Sequence, residues 1–131
     1  MIYMKVAGEG FCGKGSGRYT GWLVLDSCTV NKDTKKPPTV ISVAATKEKD
    51  ESSPGLMRWS LIGERRNVEI HFNSGDLTVL SIALEEVCLI YHLGGGWEIM
   101  ELMPLRGSIT ERGGVAPTGA GEKLAGKQRR K

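Results

Sequence analysis

The run Asn67-Val-Glu-Ile-His-Phe-Asn-Ser-Gly-Asp-Leu-Thr-Val-Leu-Ser-Ile-Ala-Leu-Glu-Glu-Val-Cys-Leu-Ile-Tyr-His-Leu93 decides the fold. Val68, Ile70 and Phe72 alternate with Glu69 and His71, the period of a half-buried strand with the apolar set inward. Asn73-Ser-Gly-Asp76 is turn chemistry between two apolar runs, and so predicts a hairpin. Leu77 to Leu93 then continues as a long apolar run that bends or bulges near Glu85-Glu86. Gly94-Gly-Gly96 makes the next turn. Trp97 to Thr110 reads as a last strand, with Pro104 near its middle demanding an edge position or a bulge.

Working outward, Ile2, Met4 and Val6 share one face of a first strand over residues 2–6. Residues 8–21 hold six glycines and form a loop. Gly21 to Val30 is rich in β-branched and aromatic residues and reads as a second strand. Asn31 to Pro38 is a polar loop, and Thr39 to Thr46 a third strand. Lys47 to Ser53 is charged and polar. Ser52 or Ser53 before Pro54 signals a helix start, and Gly63 a stop. One short helix is expected there, covering an apolar face of the sheet, because a helix this short is unstable alone. Short strands punctuated by glycine, with a single helix, define the fold class as mainly β: an antiparallel β-barrel with one short flanking α-helix.

Length and charge narrow the classes. A chain of 131 residues, 40% hydrophobic and 25% charged, fits one globular domain. From Gly113 onward five basic residues face one acid, a net +4, while the remainder carries 13 basic and 14 acidic residues, a net −1. The expected division is therefore a barrel over 1–112 and a flexible basic tail over 113–131. A nucleic-acid role would rest on that tail alone, which has no aromatic residue for base stacking. The uncharged run Val87 to Leu93 is far short of the roughly 20 residues that cross a bilayer, so no membrane insertion is expected. Met1 to Lys5 lacks the layout of a secretory signal peptide.

Candidate chemistry is sparse. Gly8-Glu-Gly10-Phe-Cys-Gly13 matches GxGxxG, and Gly8 to Lys14 matches GxxxxGK, but both motifs need a helix immediately after. Gly15-Ser-Gly17-Arg-Tyr-Thr-Gly21 is a poor helix, so a glycine-rich connection is the better reading. Cys28 with His71 is a conceivable nucleophile pair, yet His71 belongs to the outward set of its strand. Glu85 and Glu86 are adjacent and point to opposite faces. Cys12, Cys28 and Cys88 are odd in number and lack regular spacing, which argues for free thiols over a disulfide framework or zinc site. No catalytic, cofactor-binding or metal-binding residue is nominated, and no enzyme activity is expected. Trp22, Trp59 and Trp97 are the candidates for core packing or subunit contact.

The order of segments carries more. Gly21-Trp-Leu-Val-Leu-Asp-Ser27 is followed by Ala44-Ala-Thr-Lys47, then Lys49-Asp-Glu-Ser-Ser-Pro54-Gly-Leu56. Gly63-Glu-Arg-Arg-Asn-Val-Glu-Ile-His-Phe72 comes next, and Ile82-Ala-Leu-Glu-Glu86 after it. Over residues 2–111 this resembles the haemolysin-coregulated protein (Hcp) family, the tube subunits of bacterial type VI secretion. The resemblance implies a structural subunit, hexameric rings that stack into a tube, effector cargo, and sheath and spike partners. It also implies export from the bacterial cytoplasm without a signal peptide. Asn31 to Pro38 is shorter than the extended loop common in that family, and residues 113–131 lie beyond its usual end. The alternative is a small β-barrel that binds nucleic acid through its basic tail.

Overall fold

The computed structural model describes residues 1–111; the expected tail and its boundary with the barrel lie outside the described residues. Eight antiparallel strands and one α-helix follow in the order β1 (Ile2–Val6), β2 (Leu23–Leu25), β3 (Ser27–Lys32), β4 (Val40–Glu48), α1 (Ser53–Ile62), β5 (Arg66–Ser74), β6 (Leu77–Gly94), β7 (Trp97–Met103) and β8 (Arg106–Glu111). Hydrogen-bonded neighbours run β2-β1-β5-β6-β7-β4-β3, and β8 also pairs with β6. The expected fold class is the observed one, a barrel-like antiparallel sheet with one helix at its flank.

β6 organises the barrel. Its 18 residues are split between two layers. Leu77–Val87 pairs with β5 and, on the other edge, Leu80–Glu85 pairs with β8. Cys88–Gly94 pairs with β7 instead. The turn between layers falls where the sequence placed it: Glu86 has φ +54, and the β5–β6 register shifts beside it. A non-glycine residue there pays a steric cost, and the Arg65 guanidinium donates to the Glu86 carbonyl at 2.9 Å. Layer A is therefore β2-β1-β5-β6-β8, and layer B is β6-β7-β4-β3.

Inward side chains of both layers make one core, including Met4, Leu23, Ile70, Ile82, Val87, Val43, Met100 and Leu102. Val68, Ile70 and Phe72 are buried as their spacing predicts, whereas Glu69 is exposed and His71 partly so. Two-residue turns close the hairpins at Gly75-Asp76 and Gly95-Gly96. Gly95 and Gly96 both have positive φ, the requirement of the turn that matches strand twist.

Four boundaries differ from the sequence reading. Gly21 to Val30 is two strands, not one. The chain breaks at Asp26, whose amide donates to the Thr46 carbonyl at 2.7 Å, and passes from layer A to layer B. Trp97 to Thr110 likewise divides at Pro104, which cannot donate to a ladder, so β7 stays in layer B and β8 returns to layer A. Composition cannot distinguish one long strand from two that change layers. The polar loop is shorter than expected, because β3 continues to Lys32. β4 runs on through Lys47 and Glu48, two residues past the Thr39 to Thr46 strand expected.

The helix lies where expected, but its start works differently. Ser52 holds the N-cap position with no side-chain cap, its hydroxyl donating to Asp50 Oδ1 instead. Gly63 ends the helix at φ +79, its amide bonded to the Trp59 carbonyl. Leu56 and Trp59 enter the core beside Phe11. The glycine-rich segment is not slack. Gly13 and Gly15 amides donate to the carbonyls of Gly21 and Trp22. A Cβ on Gly13 would come within 2.6 Å of the Leu23 Cα, so this segment lies hard against the start of β2.

The bend in β6 yields a test. Replacing Glu86 with Gly should hold or raise the melting temperature, since it relieves about 1–2 kcal/mol of left-handed strain. Replacing it with Ile should lower the melting temperature by several degrees, read by circular dichroism.

Candidate subunit-contact surfaces

The three tryptophans occupy different environments. Trp59 is fully buried, and its indole N–H donates to the Glu64 carbonyl at 2.7 Å. Trp22 belongs to an aromatic cluster on the outward side of layer A. Tyr19 from the glycine-rich segment stacks on Tyr3 at 4.1 Å and meets Trp22 edge-on at 4.9 Å. His71 joins them, its Nδ1 bonded to the Tyr19 hydroxyl at 2.8 Å and its Nε2 to Glu69 at 2.8 Å. The cluster pins the segment 8–21 onto the sheet. Trp97 is different: it is 39% exposed at the start of β7.

This geometry dissolves the Cys28–His71 pair. Cys28 is inward and buried, and burial pushes its thiol up to about 12. His71 is committed to Tyr19 and Glu69. The GxGxxG run leads to a single 3-10 turn at Gly17–Tyr19, not to the helix N-terminus a phosphate needs. Among the described residues no group of three or more His, Cys, Asp or Glu is placed to hold a metal ion. No helix of the described residues is long and apolar enough to cross a membrane.

One charged cluster was not legible as such. Lys47, Glu98 and Asp50 meet where β4, β7 and the approach to α1 converge. Lys47 Nζ lies 2.5 Å from Glu98 Oε1 and 2.9 Å from Asp50 Oδ1, with all three side chains buried. Tyr91 donates its hydroxyl to Glu98 Oε2 at 2.6 Å. Burial pushes the Tyr91 hydroxyl up, and the bond to Glu98 pushes it further, so it stays a donor. Burial alone would raise the Asp50 carboxyl. The bonds from Ser52 and Lys47 outweigh it and hold Asp50 below the usual carboxylate range. The period-two pattern of β7 could have shown that Glu98 points inward with Met100 and Leu102.

Two exposed apolar surfaces remain. On α1, Met57, Leu61 and Ile62 face out, Leu61 at 78% exposure. On the outward side of layer B, neighbouring strands align Ile90, Glu101, Ala44 and Thr29 in one row. His92, Ile99, Thr46 and Ser27 form the next row, and Trp97 beside Glu48 a third. Ile90, Ile99 and Trp97 are each about two-fifths exposed. Layer B also has two strand edges without a paired strand among the described residues: β3, and the Cys88–Gly94 half of β6. Exposed apolar surface and open strand edges are features suited to contact with another chain.

The chain has an Hcp-like fold. It is similar to the crystal structure of Hcp2 from Salmonella typhimurium, with a TM-score of 0.74 over 87% of this chain and 88% of that one, at 16% identity. It is similar also to a type VI secretion system effector from Yersinia pestis, TM-score 0.72, 14% identity, covering 95% and 96%. The secreted protein Hcp3 from Pseudomonas aeruginosa matches at TM-score 0.66 and 16% identity, covering 98% and 100%. No family model matches the sequence, and no curated protein matches it.

The buried cluster generates two expectations. Lys47→Ala leaves two buried carboxylates without their cation and should cost about 3–5 kcal/mol, whereas Lys47→Met combined with Glu98→Leu and Asp50→Asn, which leaves no buried charge in the cluster, should recover most of that loss in urea unfolding. Because the folded carboxyl of Asp50 is depressed, its contribution is present above the unfolded carboxylate value and is lost as pH falls through the folded one. An Asp50→Asn variant should therefore show a flatter acid-side stability curve below about pH 4.

Proposed function

We propose that this chain is a structural subunit of a type VI secretion tube. Copies close into hexameric rings, the rings stack, and the tube carries effectors while engaging sheath and spike proteins. On this reading it is made in the bacterial cytoplasm, leaves by the type VI route and performs no catalysis. Trp22 and Trp59 serve packing within the barrel, and Trp97 remains available to a contact outside it.

The observation that carries the reading is the pair of open edges on layer B, set in an Hcp-like fold. Strand directions alternate through β6, β7, β4 and β3, so the two edge strands run in opposite directions. When β3 of one copy meets the Cys88–Gly94 half of β6 in the next, the junction is antiparallel like every pairing inside the chain. The contact is head-to-tail between different patches, the type that closes into a ring when the rotation between copies closes. Joining edges also removes the unpaired backbone groups that would otherwise invite uncontrolled sheet growth.

Native mass spectrometry of the full chain at tens of micromolar should give a species six times 14.2 kDa. A particle that stays monomeric as concentration rises overturns the reading. Binding of single-stranded nucleic acid by the full chain, abolished by high salt, would favour the nucleic-acid alternative.

A further inference from the structure

The outward face of layer B presents groups that no other part of the described chain satisfies. Trp97, Ile99 and Glu101 alternate outward along β7, with Trp97 39% and Ile99 43% exposed. Glu48 pairs with Trp97 from β4, while Ile90 and Ala44 flank Glu101. Both glutamates are exposed, and among the described residues neither side chain has a hydrogen bond or an ion pair. The three rows hold no lysine or arginine, and His92 beside Ile99 is their one basic side chain. Lys47 is turned inward to Glu98.

Elsewhere the chain supplies its own cations. The Lys5 ammonium lies 5.9 Å from the Trp22 ring, the Arg18 guanidinium 5.2 Å from Tyr19, and the Arg66 guanidinium 5.0 Å from Phe11. Glu69 is bonded to His71, and Glu85 accepts two bonds from Arg106. Trp97 is the one exposed aromatic side chain among the described residues, and no cation of those residues lies over it. Residues paired across strands, as Trp97 and Glu48 are, hold their Cβ atoms about 5 Å apart. An indole beside a carboxylate suits a guanidinium better than an ammonium, because the planar group stacks on the ring while its N–H groups reach the carboxylate. Four residues along β7, about 13 Å away, Glu101 repeats the charge with Ile99 between.

We propose that the outward face of layer B binds an extended segment of another protein in which two arginines flank an aliphatic residue at alternate positions, Arg-x-Ile-x-Arg in type. One guanidinium stacks on Trp97 against Glu48, the other meets Glu101, and the aliphatic side chain covers Ile99 and Ile90. An extended chain repeats its side chains on one face every 6.6 Å or so, about 6.6 Å being also the spacing of the rows, so charged and apolar groups fall into step. Edge-to-edge joining of copies leaves this face open, so the segment docks on a ring and on a single chain alike.

The probe is a fluorescein-labelled heptapeptide, Thr-Arg-Thr-Ile-Thr-Arg-Thr, titrated with the full chain at low salt and read by anisotropy. Saturable binding is expected. Trp97→Leu should weaken it roughly threefold, and Glu48→Gln with Glu101→Gln roughly tenfold. All three positions are exposed, and unchanged melting temperatures show that the variants fold. A peptide with citrulline at both arginine positions keeps the shape without the charge and should not bind. Failure of the arginine peptide to saturate the wild-type chain overturns the proposal. Equal binding of the citrulline peptide also overturns it, since the peptide is then adding as a strand to the open edge of β3 or β6. Binding untouched by the substitutions does the same. Native mass is recorded on the same samples without peptide. A mass that falls in the variants makes the occupant a second copy and overturns the proposal. A wild-type chain that stays monomeric yet binds the peptide as expected supports this proposal while sinking the ring.

Discussion

One strand belonging to two layers is the constraint on which everything else in this barrel depends. β6 gives Leu77–Val87 to layer A and Cys88–Gly94 to layer B, and the handover occurs at Glu86, in a backbone conformation that costs a non-glycine residue energy. Without that bend the two layers would be separate sheets joined only by loops. With it, the inward residues of both layers converge on one core, and the far half of β6 is left with an open side that no strand of layer A can reach. The barrel's internal continuity and its external incompleteness have the same cause.

The Lys47–Glu98–Asp50 cluster fixes the second relationship, between sheet and helix. Buried charges are expensive, and an apolar trio of similar volume would serve stability as well. What the charges add is direction. Asp50 accepts from Lys47, from the Ser52 amide and from the Ser52 hydroxyl, so the chain leaving β4 has one way to turn into α1. Leu56 and Trp59 then arrive over the core in register. The helix needs no strong cap of its own because its approach is held by the sheet.

How much of this was legible depends on whether the determinant is local. Alternation at Val68, Ile70 and Phe72 exposed β5, glycine pairs exposed the turns, and Pro54 with Gly63 bracketed the helix. The adjacent carboxylates at 85 and 86 marked the bend. What stayed hidden was non-local. Asp26 and Pro104 each break a run of strand-forming residues, but only the partner strands reveal that the chain changes layers there. Lys47 read only as part of a charged, polar stretch because its partner Glu98 is fifty-one positions away. The contact faces were invisible for a related reason. Ile90 and Ala44 become neighbours of Glu101 only once three strands are in register. Trp22, Trp59 and Trp97 looked alike in sequence, and their burial separates them.

The close fit of Gly13 and Gly15 against the residues leading into β2 leaves neither position room for a side chain. That segment acts as a shim one backbone thick. It is tied by two amide hydrogen bonds to the residues just before β2. A side chain at either glycine would run into backbone and wedge the shim away from the start of β2.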